Sequence, residues 1–292
     1  MKFIAFTSDR GPRLGLVDGA GDRLADITER TGTADLVGVI ERWEELRAKV
    51  EGAEPTIDVA SVKALAPIPR PRRNVFCVGK NYREHAAEFG KSGYDAGSDT
   101  KAADHVPTKP VVFTKAPQSV VATNATIDPH SDITKELDYE AELAVIIGKG
   151  GKRISKENAL EHVWGYTIVN DVTARDLQRD HKQWFLGKSI DGFCPMGPWA
   201  VTADEVDGAN LDVECRVNGE VRQKASTKDL IFDIPTLIAT ISAGIALEPG
   251  DIIATGTPAG VGIGFDPPRF LKTGDVVEVA IGGLGRLVTT IG

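Results

Sequence analysis

The chain has 292 residues, with 34 Lys and Arg against 42 Asp and Glu, a formal net charge of −8. Hydrophobic residues make up 41% and charged residues 26%, so a sizeable core can be buried, while an acidic chain with no basic block excludes nucleic acid as a first expectation. Cys77, Cys194 and Cys215 are too few and too widely spaced for a disulfide framework or a cysteine zinc site, and no stretch approaches the ~18 apolar residues of a membrane span, so a soluble cytoplasmic protein is expected.

Residues 1–65 alternate apolar and polar in short runs, Phe3 to Phe6 and Leu14 to Val17, around the Asp18-Gly19 turn, and then give a helical stretch from Ala34 to Val50. This predicts a small N-terminal α+β domain. Residues 66–73, Ala-Pro-Ile-Pro-Arg-Pro-Arg-Arg, form a linker, because proline is excluded from helix interiors and central strands. Residues 74–292 read as a β-rich domain. Strands are predicted over Val75 to Val78, Val111 to Thr114, Tyr139 to Ile147, Val163 to Asn170, Leu211 to Val217, Asp251 to Ala254, Val276 to Ile281 and Arg286 to Thr290. Helices are predicted over Tyr82 to Phe89, Lys156 to Glu161, Thr173 to Asp180 and Pro235 to Ala243. Asn218-Gly219 between two strand-like runs is a type I′ hairpin signal. Strands outnumber helices without regular alternation, which argues against a doubly wound sheet or a TIM barrel and for a sandwich or rolled sheet. The polar, glycine-dotted stretch 90–109 is long for a bare connection and reads as a lid or insert.

Familiar motifs fail in informative ways. Gly187-Lys188-Ser189 ends like a phosphate loop, but Lys182 stands where that motif needs glycine. Thr255 to Gly262 follows a strand yet carries Pro258 where a dinucleotide-binding helix must pack, and there is neither a nucleophile elbow nor a zinc helix. Positive signals begin at Glu140-Ala141-Glu142, where period two puts both carboxylates on one strand face. A solvated acidic edge has the same pattern, so a third ligand is required to argue for metal. Asp171 supplies a candidate at the end of the next apolar strand, where it could also be a helix cap. Three carboxylates suit a hard ion, Mg²⁺ or Mn²⁺. His85 and Glu88 fall at i, i+3 on a predicted helix, a spacing that lets a carboxylate orient an imidazole as a general base, or that makes an ordinary surface ion pair. Asp171, Arg175 and Gln178 step by four and three and are expected on one helix face, with Lys188 following.

Six segments in this order resemble the fumarylacetoacetate hydrolase family: Cys77-Val78-Gly79-Lys80-Asn81-Tyr82 with His85 and Glu88; Lys115-Ala116-Pro117; Glu140-Ala141-Glu142; Asn170 to Gln178; Gly187-Lys188-Ser189; and Ala254 to Gly262. The resemblance runs from Asn74 to the C-terminus. It implies a mixed β-sandwich roll, a homodimer, and Mg²⁺ or Mn²⁺ held by Glu140, Glu142 and Asp171. It further implies that His85 and Glu88 form a catalytic dyad on a short helix that orders with substrate, that Lys188 supports a developing oxyanion, and that Arg175, Gln178 and Thr257 line the substrate. Such enzymes act on 2-oxo acids or their enols. The complete dyad favours hydrolytic C–C cleavage of a 2,4-dioxo acid, acylpyruvate-like or a diketo-deoxy sugar acid. Oxaloacetate decarboxylation and isomerisation of a hydroxymuconate or 2-hydroxyhepta-2,4-diene-1,7-dioate are the alternatives on the same site. Outside the family, the alternative is a non-catalytic metal- or ligand-binding module.

Overall fold

A computed structural model describes residues 1–94 and 106–292. The centre of the molecule is the strand Ala141–Ile147, buried along its whole length. It pairs antiparallel with Val163–Asn170 on one side and with Ile252–Ala254 on the other. Its side chains alternate between two cores, as period two requires. Ala141, Leu143, Val145 and Ile147 pack with Val213, Val277 and Val279 of a second sheet. Ala144 and Ile146 pack on the opposite side with Val75, Cys77 and Val169, in a core that also includes Leu36, Val37 and Ile40 from the N-terminal helices.

The first sheet has twelve strands and the second five. Parallel pairs, Ile252–Ala254 with Val75–Gly79 and Gly285–Ile291 with Ala125–Ile127, stand among antiparallel ones, so both sheets are mixed. The expected mostly-β sandwich is the observed architecture. The hairpin at Asn218-Gly219 forms, with both residues at positive φ (53° and 80°). The helix Ile234–Ser242 is capped by Asp233, whose side chain accepts from Thr236 N at 2.9 Å. Lys2–Ser8 pairs with Cys194–Thr202, so the N-terminal strands continue the large sheet.

Local differences from the expected elements have identifiable causes. The stretch 34–50 is two helices, Leu36–Glu41 and Trp43–Val50, broken at Arg42. Only Ala159–His162 of the expected 156–161 helix is helical, as one 3₁₀ turn. The Thr173 to Asp180 helix begins at Arg175, because Thr173–Ala174 pairs instead with Leu137–Asp138. Asp171 therefore does not share a helix face with Arg175 and Gln178. Arg83–Lys91 is helical as expected, while residues 95–105 of the expected lid lie outside the described residues. Among the described residues, no helix is long and apolar enough to cross a membrane.

Candidate active site

Glu140, Glu142 and Asp171 meet at one end of the two central strands. Each offers a carboxylate oxygen within 4.8 Å of the others, and all three residues are buried. Glu142 lies on the same strand face as Ala144 and Ile146, at the point where that face turns from apolar to polar. Asp171 N donates to Glu140 O at 2.8 Å, and Glu140 N donates to Asn170 Oδ1 at 3.0 Å, which fixes the two strand ends together. Asp171 is not a helix cap: its side chain accepts from Lys115 Nζ at 2.6 Å and Lys188 Nζ at 2.8 Å.

Cations surround these carboxylates. Lys188 Nζ bridges Asp171 and Glu140, reaching Glu140 Oε2 at 2.7 Å. Arg175 donates from Nη1 to Glu140 Oε1 at 2.7 Å and to Gln178 Oε1 at 3.1 Å, and from Nε to Asp138 Oδ2 at 2.9 Å. Its Nη2 is buried with no partner among the described residues. Four carboxylates, counting Asp138, thus face three cations, Lys115, Lys188 and Arg175. The protonation pattern follows from this shortfall. Burial raises the Glu140 pKa, but Lys188, Arg175 and His85 outweigh it and bring it down to about 2. Burial and then the charges of Asp171 and Glu140 push Glu142 well above the carboxylate range, against the Lys188 charge and a 2.9 Å bond from Gly256 N. Burial and the two neighbouring carboxylates thus favour the protonated form of Glu142. A buried all-oxygen donor set, short of cationic charge and already bridged by an ammonium, fits a hard divalent ion.

Opposite stands His85, on the buried face of the helix Arg83–Lys91. Its Nδ1 lies 3.2 Å from Glu88 Oε2. An ionised carboxylate only accepts, so this contact puts the ring proton on Nδ1 and leaves Nε2 as the basic nitrogen. Gly260 N donates to Glu88 Oε1 at 3.1 Å and holds the carboxylate from behind. Gly264 lies so close to Glu88 that a Cβ there would fall 1.7 Å from Oε1. One cavity is lined by His85, Glu140, Glu142, Arg175, Gln178, Lys188 and Thr257 together. Its free space is about 10 Å³, room for about one water. A small organic acid enters only if a lining side chain or the His85 helix gives way. All nine predicted site residues are in or against this one place.

Residues 74–292 match the family described as fumarylacetoacetate (FAA) hydrolase C-terminal. The chain belongs to the fumarylacetoacetate hydrolase family. It is 53% identical over 235 residues to oxaloacetate tautomerase YisK of Bacillus subtilis, covering 80% of this chain and 74% of that protein. A fumarylacetoacetate hydrolase structure from Exiguobacterium antarcticum is 46% identical with a TM-score of 0.82, over 100% of this chain and 99% of that one. Maleylpyruvate hydrolase from Sphingobium sp. SYK-6, solved with manganese(II) and pyruvate, is 32% identical with a TM-score of 0.78, over 100% and 98% of the two chains.

In this fumarylacetoacetate hydrolase family member, three supporting residues carry no role from sequence reasoning. Lys115 is fully buried and directs Nζ to Asp171 Oδ1, to Val172 O at 3.0 Å and to Lys188 O. Asp138 receives Arg175 together with Gly262 N at 2.6 Å and Ile263 N at 3.2 Å. Extending the Glu140/Glu142 period back one step reaches Asp138, so a signal for it existed. Gln223 donates to Thr257 Oγ1 at 2.8 Å and to Pro258 O at 2.7 Å, and accepts from Ala141 N at 3.0 Å. In the glycine loop after Ile252–Ala254, the Gly256, Gly260 and Gly262 amides hold three carboxylates of the protein itself, those of Glu142, Glu88 and Asp138. Gly256 is required there: its φ is +106°, and a Cβ would meet Asn81 Cβ at 2.7 Å.

Proposed function

We propose that the protein is a divalent-metal-dependent enzyme that moves a proton at C3 of a short 2-oxo acid, interconverting the keto and enol forms of an oxaloacetate-like substrate. The observation that carries this reading is the pairing of an oriented base, His85 held by Glu88, with a cation-seeking carboxylate cage across a cavity of very small volume. The 53% identity to a protein named oxaloacetate tautomerase supports it. Tautomerisation thereby takes the place that C–C hydrolysis holds in the sequence reading. Hydrolysis of a 2,4-dioxo acid remains the second reading, favoured by the similarity to hydrolases and by the same dyad, which also suits activation of a water.

Glu140, Glu142 and Asp171 would hold Mg²⁺ or Mn²⁺, which when bound supplies Lewis-acid polarisation of the 2-oxo group. The chain's own residues do the rest. His85 Nε2 takes the proton from C3, and the C3–H pair becomes the C2=C3 bond. Lys188, whose ammonium form Asp171 and Glu140 favour against the cost of burial, delivers a proton to the C2 oxygen. Each turnover leaves His85 protonated and Lys188 neutral; His85 then releases its proton to water and Lys188 regains one from water, so none is consumed. Arg175 Nη2, without a partner among the described residues, offers donors for the substrate carboxylate together with Gln178 and Thr257 of the same lining.

The test is a substrate panel with Mg²⁺ or Mn²⁺. Oxaloacetate enol is followed by its ultraviolet absorbance, acetylpyruvate cleavage by product analysis, decarboxylation by CO₂ release, and a hydroxymuconate by its absorbance change. The reading predicts metal-dependent acceleration of enol loss with oxaloacetate conserved. Rapid acetylpyruvate cleavage without any tautomerisation would replace it by the hydrolase reading.

A further inference from the structure

We propose that the Trp184 ring is the size filter of this site, the side chain that turns aside when a 2-oxo acid enters and that limits how bulky the acid can be. The inference rests on the 2-oxo acid reading above and adds which 2-oxo acids the site admits.

All residues that line the cavity are buried except Gly79, Phe113 and Trp184. These three meet. The Phe113 and Trp184 rings stand edge to face, 5.2 Å between centroids at 69°. The indole also fills the space beside Gly79, where a Cβ would fall 2.6 Å from the ring. The part of the lining that reaches solvent is therefore the part that the indole covers.

Trp184 touches both halves of the site. It precedes the short helix Phe185–Lys188, whose last residue bridges Glu140 and Asp171. Its ring packs on Phe89 at 5.9 Å, and Phe89 lies one turn after His85 on the helix Arg83–Lys91. The backbone beneath the ring has no room to shift: Gly187 lies so close to the Arg175 helix that a Cβ would fall 2.7 Å from Gln178 N and from Ala174 O. The side chain is the part that can turn. Arg175 and Lys188 are held by carboxylates, and Phe89 is buried, so Trp184 is the largest lining side chain with neither restraint. Turning it opens the mouth and releases the Phe89 face of the base helix. The free space of about 10 Å³ is far too small for any 2-oxo acid, and the bulk that the ring can make way for sets the limit.

The test compares Trp184→Ala, which removes the ring, with Trp184→Phe, which keeps an aromatic group. Two measurements are made on the Mn²⁺-loaded protein. Calorimetry gives the binding of pyruvate and of phenylpyruvate. Mass spectrometry gives the rate at which diethyl pyrocarbonate modifies His85, with the buried His162 as the internal reference. Forcing an oversized group into a packed site costs about tenfold or more in affinity. Trp184→Ala should therefore shift the preference toward phenylpyruvate by about that factor. Its His85 should be modified faster while His162 is unchanged, and Trp184→Phe should stay close to wild type. An unaltered His85 rate, an unaltered preference when pyruvate binds, or acceleration of His162 in step with His85 overturns the inference. Faster His85 modification in Trp184→Ala when neither acid binds any form of the protein upholds the ring as the barrier while the 2-oxo acid reading falls. Oxaloacetate turnover with an unaltered His85 rate does the opposite.

Discussion

The two halves of the site are built differently. The cage stands on the ends of central strands, where Lys115, Arg175, Lys188, Asn170 and the Gly256 amide hold Glu140, Glu142 and Asp171. The proposed base stands on the nine-residue helix Arg83–Lys91, where His85 is oriented by Glu88, which is braced by the Gly260 amide. Strand ends under many bonds suit a group that must not move; a short helix beside a small cavity suits one that must move to admit substrate. On the proposed reading, this difference makes affinity for the ion and proton transfer separable in this molecule.

Breaking the cage should have the largest effect. Glu142→Ala removes one of three donors, so Mn²⁺ binding followed by electron paramagnetic resonance should be lost together with turnover on every substrate. Persistent tight binding in that variant would show that the ion sits elsewhere. Lys115→Met leaves the Asp171 charge buried beside one fewer cation, and should cost about 3–5 kcal/mol of stability in chelator, read by urea unfolding. Metal should recover part of that loss, since a divalent ion restores positive charge next to Asp171.

On the base side, Gly264→Ala pushes against Glu88 without touching the cage. Turnover should fall by about tenfold or more, as expected when a base loses its orienting partner, while metal affinity stays at the wild-type value. An equal loss of both would mean that the two halves are coupled.

The smallest effect is in pH dependence without metal. Glu142 has a folded-state pKa above its unfolded value, so from the usual carboxylate range upward the folded protein binds more protons than the unfolded one. This group's contribution to stability is therefore present at low pH and declines as pH rises toward the folded pKa. Melting temperatures in chelator should show wild type losing stability relative to Glu142→Gln across that window. The absence of any pH-dependent difference would place the missing charge on another carboxylate.

The cage triad was legible because its geometry is local: period two for Glu140 and Glu142, and a strand end for Asp171. Arg175 and Gln178 meet at i, i+3 as their spacing predicts, although Asp171 does not join their helix. Lys115 was not legible as a support, since it reaches Asp171 across 56 positions and only the sheet arrangement brings them together. The long strand Cys194–Thr202 is not among the expected strands; it contains Pro195, Gly197 and Pro198, residues that disfavour a central strand. The sheet accommodates them through a register shift opposite Tyr166 to Ile168. The N-terminal strands read as a separate unit because a pattern of alternation says nothing about which sheet a strand joins; Lys2 and Phe3 pair with Val201 and Ala200.

The separation of ion binding from proton transfer is tested most directly by His85→Ala. With Mg²⁺ present, loss of oxaloacetate enol is timed in wild type and variant, and Mg²⁺ affinity is measured on the same samples. The account predicts unchanged Mg²⁺ affinity with the catalysed rate down by about 10²–10⁴-fold, the contribution of a positioned general base. Full catalysis by His85→Ala, or loss of Mg²⁺ binding along with the rate, would contradict it.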